Sequence, residues 1–409
     1  MYSEKHRKRV KSMKNIGIIT LLTSRSSMNY GQLLQAYGTA ETVKSFGYNC
    51  EIINIQMNRD ERAFFLKLLD LTIRFFTRNP LNELGKVKKK LIENAFQSRY
   101  EAELSLKMEK FDLFRERKLP ISASVYSGTE DITANPPVYD AYICGSDQIW
   151  NPNYIFRQKY HEYFLSFAPQ KKRVAYAPSF GIQQLPSECI VAYREWISQI
   201  PYLSCREVTG VEIIKNLTGR DAVHVLDPTL LLGQEQRDEL IREVDTPNYV
   251  KPYILCYILG VSTSYEFFLE SSVAELGYQV VTLPMLSGRK GYENTNCFDA
   301  GPAEFVSLIR HADYVITDSF HGIVFSMIYN RPFAVFHRKD PWSRENQMFS
   351  RILSLLSLCK IEPPLMNESS VFDRSMLDID FTIANEVLQR EIDKSKQYLS
   401  DSLKKACES

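Results

Sequence analysis

The chain has 409 residues, 44% of them apolar, which is enough for more than one buried core and predicts two domains. Fifty Lys and Arg stand against 49 Asp and Glu, so the summed field is close to neutral and argues against nucleic acid as a partner; any anion site must be local. The eight Cys are scattered without a CxxC pair, several in apolar runs such as Tyr142-Ile143-Cys144, a pattern that predicts reduced buried thiols, a cytoplasmic setting and no metal site.

No run approaches the roughly 20 apolar residues that span a bilayer, so the chain reads as soluble. Residues 1–15 are basic and lack the apolar core of a signal peptide; they read as a disordered lead-in. Ile16 to Leu21 is a β-branched run of strand length. A polar loop, Ser24 to Asn29, leads to a helical stretch, Gln32 to Phe46, that closes at Gly47. Cys50 to Ile55 gives a second strand, and the alternation resumes at Tyr139 to Cys144, Arg173 to Ala177, Tyr202 to Ser204 and Ala222 to Leu226. Strands alternating with helices predict a parallel sheet covered on both faces.

After a hinge at Gly233 to Pro252 the rhythm restarts. Strands are expected at Tyr253 to Leu259, Gln279 to Leu283, Tyr314 to Thr317 and Phe333 to Phe336, with helices at Tyr265 to Leu276, Pro302 to His311 and Ile323 to Tyr329. The expected architecture is therefore α/β, two doubly wound Rossmann-like domains facing across a cleft, with ligands at the carboxyl ends of the strands. The domains are expected at 16–235 and 236–375, with a helical tail at 376–409. An insertion, 59–119, carries fifteen Lys and Arg over ten Asp and Glu, with Phe64, Phe65, Phe75 and Phe76 beside basic residues. It reads either as a helical hairpin packed on the first domain or as a peripheral docking face for an anionic membrane.

The segment Thr317-Asp318-Ser319-Phe320-His321-Gly322 carries the most chemistry. A strand delivers it to the start of a helix, where free N–H groups and the dipole favour an anion, and His321 is suited to give or take a proton. Together with Asn29-Tyr30-Gly31-Gln32, Tyr139 to Asn151, Ser204-Cys205-Arg206-Glu207 and Asp227-Pro228-Thr229, in that order along the chain, it resembles the polysaccharide pyruvyl transferases. The resemblance implies an architecture similar to the GT-B glycosyltransferases, phosphoenolpyruvate as co-substrate with no resident cofactor, and a sugar or lipid-linked oligosaccharide as acceptor, giving a pyruvate ketal and phosphate.

It also implies that Arg206, with Arg338 or Lys339, serves the donor, beside Ser319, Phe320 and Gly322. The chemistry needs a general acid, expected to be His321, and a carboxylate base, expected to be Asp147 or Asp227. Asn29, Gln32 and Gln148 are the acceptor candidates, Asn29 equally a helix cap. A nucleotide-sugar glycosyltransferase on the same fold and a non-catalytic sugar-binding protein are the rivals. A dinucleotide oxidoreductase is disfavoured because no Gly-x-Gly-x-x-Gly follows a strand.

Overall fold

The structure, a computed structural model, describes residues 13–22, 28–55, 101–155, 161–244, 251–260, 265–283, 297–337, 350–362 and 365–409. Most of the basic lead-in, the loop 23–27, most of the insertion with its four phenylalanines, and Arg338 and Lys339 lie outside these residues. The fold is α/β with two parallel five-stranded sheets, as the alternation predicts.

The first sheet is built from β1 (Asn15–Ile19), β2 (Asn49–Ile55), β3 (Ile121–Tyr126), β4 (Ala141–Cys144) and β5 (Arg173–Ala175), in the spatial order β3-β2-β1-β4-β5. β1 pairs in parallel with β2 on one side and β4 on the other, so the winding reverses between β1 and β4. Doubly wound sheets bind ligands at that reversal, just beyond the carboxyl ends of the strands. There stand the start of α1 (Tyr30–Ser45), which follows β1, and the loop Gly145-Ser146-Asp147, which follows β4. Asn29 caps α1, its side chain accepting from the Gln32 N–H, and α1 stops one residue before Phe46 with Gly47 at φ 81°.

Expected strands at Tyr202 to Ser204 and Ala222 to Leu226 shrink to β6 (Ser204–Cys205) and β7 (Val223–His224), a separate two-stranded ribbon tied to β5 only through the Val174–Tyr202 bridge. β3 was hidden because its sequence alternates weakly and follows a charged helix, α2 (Glu101–Lys118). Beyond the ribbon, α3 (Val208–Thr218) ends at Gly219 in the left-handed conformation, φ 71°.

The second sheet is built from β8 (Tyr253–Tyr257), β9 (Gln279–Thr282), β10 (Tyr314–Thr317), β11 (Phe333–Phe336) and β12 (Leu365–Met366), in the order β12-β11-β10-β8-β9. Here the winding reverses between β8 and β10. Asp318, at the end of β10, accepts from the N–H groups of Leu259 (2.7 Å) and Gly260 (2.6 Å) beyond β8, closing the second reversal point. The helices α4 (Pro302–His311), α5 (Phe320–Ile328) and α6 (Ser350–Leu358) surround this sheet, and α5 starts three residues earlier than the periodicity predicts because Ser319 caps it. The last helix, α7 (Thr382–Glu408), returns to the first half. There the Leu226 N–H donates to Ser395 Oγ at 3.0 Å and Tyr398 Oη donates to the Ala175 carbonyl at 3.1 Å.

Tyr30 pins the two halves together. Its ring stacks on Phe305 of α4 (4.6 Å between centroids, 8° between planes) and touches Phe111 of α2 at 5.2 Å. Its hydroxyl donates to the Ala300 carbonyl at 2.8 Å. Lys110 of α2 adds ion pairs to Asp299 (2.8 Å) and Glu304 (3.1 Å) on the same face. Removing the ring leaves a cavity between the halves, so Tyr30→Ala is expected to cost about 3–5 kcal/mol, against about 1 kcal/mol for Tyr30→Phe, which loses only the hydroxyl contact. Thermal and urea unfolding of the two variants checks this; equal losses would show that the stacking is not what joins the halves.

Candidate functional site

The two reversal points meet, and the residues at their junction are nearly all buried and charged. Arg206, just beyond β6, is the hub: its side chain is 2% exposed, its Nη1 donates to Asp227 Oδ2 at 2.6 Å and its Nη2 to Asp147 Oδ1 at 3.0 Å. Ordered, desolvated charges persist only when paired in this way. Asp147 follows β4 with a left-handed backbone, φ 64°, a conformation that Asp tolerates better than most residues. Asp227 opens the turn Pro228–Leu231, where its Oδ1 accepts from Thr229 N (3.0 Å) and Oγ1 (2.7 Å). That turn rests on Gly38 of α1, where a Cβ would lie 2.6 Å from the Pro228 carbonyl oxygen.

The second half contributes His321 from the first turn of α5. Its Nε2 lies 3.7 Å from Asp227 Oδ2, an ion-pair distance but too long for a hydrogen bond, and this buried nitrogen has no hydrogen-bond partner. Its Nδ1 faces Gly31 of α1: a Cβ there would stand 2.1 Å from it, so only glycine admits the ring. The Phe320 ring lies 4.8 Å from the Arg206 guanidinium carbon. The hydroxyl of Ser319 accepts from the Gly322 N–H at 3.3 Å and so caps α5, and Gly322 packs against Thr317.

Burial would raise the carboxyl of Asp227, but His321 and Arg206 beside it hold it far below the usual carboxylate range. Asp147 follows the same pattern, burial being overridden by Arg206, His321 and Arg351. Arg206 is the reverse case: burial alone would lower it, and Asp147 and Asp227 hold it firmly charged.

Further out, Glu207 accepts from Ser179 Oγ (3.0 Å) and from the N–H groups of Phe180 (2.8 Å) and Gly181 (3.3 Å), fixing the loop beside Arg206. Gln35 of α1 accepts from the Ser146 N–H at 3.1 Å and donates to Thr20 Oγ1 at 2.7 Å, which holds the β4 loop.

The sequence profile of the family described as polysaccharide pyruvyl transferase matches residues 29–340 of this chain. The chain belongs to that family. Three of the solved structures to which it is similar are as follows. A UDP-GlcNAc 2-epimerase from Methanocaldococcus jannaschii is 11% identical, with a TM-score of 0.44 over 91% of this chain and 92% of that one. The wall teichoic acid polymerase TagF is 14% identical, TM-score 0.43, over 97% and 89%. MurG from Acinetobacter baumannii is 10% identical, TM-score 0.39, over 97% and 95%. No curated protein sequence matches.

Of the residues singled out in sequence, the structure brings Asp147, Arg206, Asp227, Phe320 and His321 of the transferase into one buried cluster. Gln148 stands aside, its Oε1 accepting from Asn151 Nδ2 at 2.6 Å, and Asn29 is an exposed cap. Gln32 lies one residue past Gly31, with a buried Oε1 that has no partner. Arg351, on α6, escaped sequence reading altogether; its Nη1 lies 3.8 Å from Asp147 Oδ1 and its guanidinium carbon 5.7 Å from the Phe320 ring centre. Among the described residues no cluster of three His, Cys, Asp or Glu could hold a metal ion, and no helix is long and apolar enough to cross a membrane.

Arg206→Gln would strand two buried carboxylates and is expected to cost about 3–5 kcal/mol at neutral pH. In the wild type both carboxyls sit below their unfolded range, so they stabilise the fold above about pH 4 and that contribution is lost as pH falls. In the variant the raising effect of burial is less opposed, the folded form takes up protons first, and stability relative to wild type recovers in acid. Urea unfolding at neutral and acid pH measures the gap; a gap that is independent of pH would show that Arg206 does not neutralise these carboxylates.

Proposed function

We propose that this transferase moves the enolpyruvyl carbons of phosphoenolpyruvate onto two hydroxyls of a sugar in a surface polysaccharide or its lipid-linked precursor, forming a cyclic ketal and releasing phosphate. The observation that carries the reading is a pair of buried polar atoms at the junction that make no hydrogen bond: His321 Nε2 and Arg206 Nε, one from each half. A buried polar atom without a partner costs about 1–3 kcal/mol, and such atoms at a junction mark where a ligand completes the hydrogen bonding. One proton carrier and one guanidinium N–H suit a small anion with a protonatable carbon.

The steps balance as follows. His321 Nε2, protonated, gives its proton to the methylene carbon while the first sugar hydroxyl attacks the adjacent carbon and yields its proton to a carboxylate. The second hydroxyl then attacks the same carbon, the bond to the phosphate oxygen breaks, and the proton of that hydroxyl leaves with phosphate. Asp147, at the reversal point of the first sheet, is assigned as base. Asp227, whose Oδ1 is already committed to Thr229, stays paired with Arg206 instead. Arg206 supplies fixed positive charge for the donor, and Gln32 Oε1, buried with no hydrogen-bond partner, is assigned to accept from an acceptor hydroxyl.

Phosphoenolpyruvate and a panel of surface glycans, scored for phosphate release and for the mass of the glycan, test the reading. Phosphate release that depends on the glycan, with a pyruvate ketal on the product, is expected; release of a nucleotide from a nucleotide sugar instead would favour a glycosyltransferase and overturn it. His321→Gln is expected to lose about 10²–10⁴-fold in turnover while keeping its melting temperature. Turnover near that of wild type would remove His321 from the chemistry. Gly31→Ala, which crowds the same ring, is expected to lower turnover with phosphoenolpyruvate saturating, and full activity in it would show that the ring is not seated against α1 during reaction.

A further inference from the structure

We propose, resting on the reading of the donor given above, that His224 is a positioning residue for donor binding. Its ring holds the Arg206 carbonyl and so fixes the direction in which the Arg206 Nε–H meets phosphoenolpyruvate.

His224 closes β7, the parallel partner of the strand that leads into Arg206. The ribbon ends there. The Val225 N–H donates to the Cys205 carbonyl at 3.1 Å, and one residue further on the Arg206 carbonyl takes its hydrogen bond from a side chain, His224 Nε2, also at 3.1 Å. A carbonyl only accepts, so Nε2 carries a proton. Burial lowers the pKa of the ring, and Lys394 adds to that, against the raising effects of the Arg206 carbonyl, Glu391 and Glu207. The net direction is downward, so at neutral pH the ring is uncharged and its single proton is the one given to Arg206. The Arg206 N–H donates in turn to the Pro178 carbonyl at 3.1 Å, and both polar groups of its main chain are thereby tied.

What the tie controls follows from the guanidinium. Nη1 goes to Asp227 and Nη2 to Asp147, which leaves Nε as the nitrogen of the planar fork without a hydrogen bond. The fork is rigid. With its two outer nitrogens held by carboxylates, the direction of Nε–H is set by the point from which the main chain starts the side chain. The segment that carries His224 runs on directly to Asp227, so one ring links the Arg206 main chain to the stretch bearing the carboxylate on Nη1. Behind that stretch stands α7. The Leu226 N–H donates to Ser395 Oγ at 3.0 Å, and Lys394 and Glu391, paired with each other at 3.0 Å, lie near enough to the ring to shift its pKa. Arg206 is therefore aimed from its main chain as well as from its charged partners, and a group that must meet a small anion at one nitrogen needs both.

Calorimetric titration of phosphoenolpyruvate into wild type, His224→Leu, His224→Asn and His224→Gln, with steady-state kinetics on each, tests the assignment. The amide nitrogen of Gln reaches the place of a histidine Nε2, whereas that of Asn reaches only the place of Nδ1. His224→Leu and His224→Asn are expected to bind phosphoenolpyruvate about tenfold more weakly, the upper end of what one hydrogen bond supplies. Their turnover with the donor saturating is expected to stay near that of wild type, because His321 and Asp147 are untouched. His224→Gln is expected to restore donor binding. If the Leu and Asn variants lose melting temperature but bind the donor as wild type does, His224 is only structural and the inference fails, while the donor reading stands. It fails equally if Gln and Asn weaken donor binding alike, since the reach of the N–H would then be immaterial; this pair decides even where the Leu variant does not fold. Wild type that binds no phosphoenolpyruvate overturns the donor reading and this inference with it.

Discussion

The Arg206 guanidinium, shared between Asp227 and Asp147, is the interaction on which the rest of the site depends. Two carboxylates this deeply buried are untenable without a cation between them, and a guanidinium is the group whose planar fork serves two acceptors at once. The arrangement dictates where each chain segment must go. Asp147 must come off the end of β4, Asp227 must sit at the head of the Pro228–Leu231 turn, and that turn must lie on α1 at Gly38, so three separate stretches of the first half are fixed by one side chain. Glu207 and Gln35 then hold the loops that carry Arg206 and Asp147, so that the residues touching the junction are themselves held by hydrogen bonds.

Joining the two sheets at their reversal points explains why the junction is so closely closed. Each half offers the mouth of a parallel sheet, where helix starts leave N–H groups pointing outward, and the mouths meet with His321 of one against Gly31 of the other. Tyr30, the neighbour of Gly31, is stacked into the second half, and α7 crosses back onto the first. The joint is thus held at its centre and at its far edge.

Much of this was legible in sequence, for identifiable reasons. The alternation of apolar strands with helices gave two parallel sheets because both faces of a parallel sheet are covered and its strands are short and uniformly apolar, as in Tyr314 to Thr317. Arg206, Asp227 and His321 stand out in sequence because each lies in a short block that resembles the family's motifs. What escaped was non-local. Arg351 is some thirty residues beyond His321 along the chain, and nothing in its neighbours announces that it faces Asp147 across the junction. β12 is two residues long and β6 and β7 no longer, below the length at which alternation can be recognised. The capping of α5 by Ser319 became visible only with the α5 geometry, since an N-cap and a ligand-binding serine share one sequence signature.

The burial of the junction also bears on the chemistry proposed for it. A carbon bearing two oxygens and a departing phosphate has strong positive character, and water reaching it would divert the reaction to free pyruvate. A site lined by solvent-exposed lysines would bind the donor well and protect that carbon poorly. Here the cations are guanidiniums packed beside the Phe320 ring, weakly hydrated and fixed in direction, and the acid proposed is the His321 imidazole, enclosed between α1 and α5. The charge needed to hold a polyanion is thus present without the water that usually accompanies it. The cost is borne by the free protein, which keeps two carboxylates and two guanidiniums out of solvent, and pairing them with one another is the arrangement that lets the empty site remain folded.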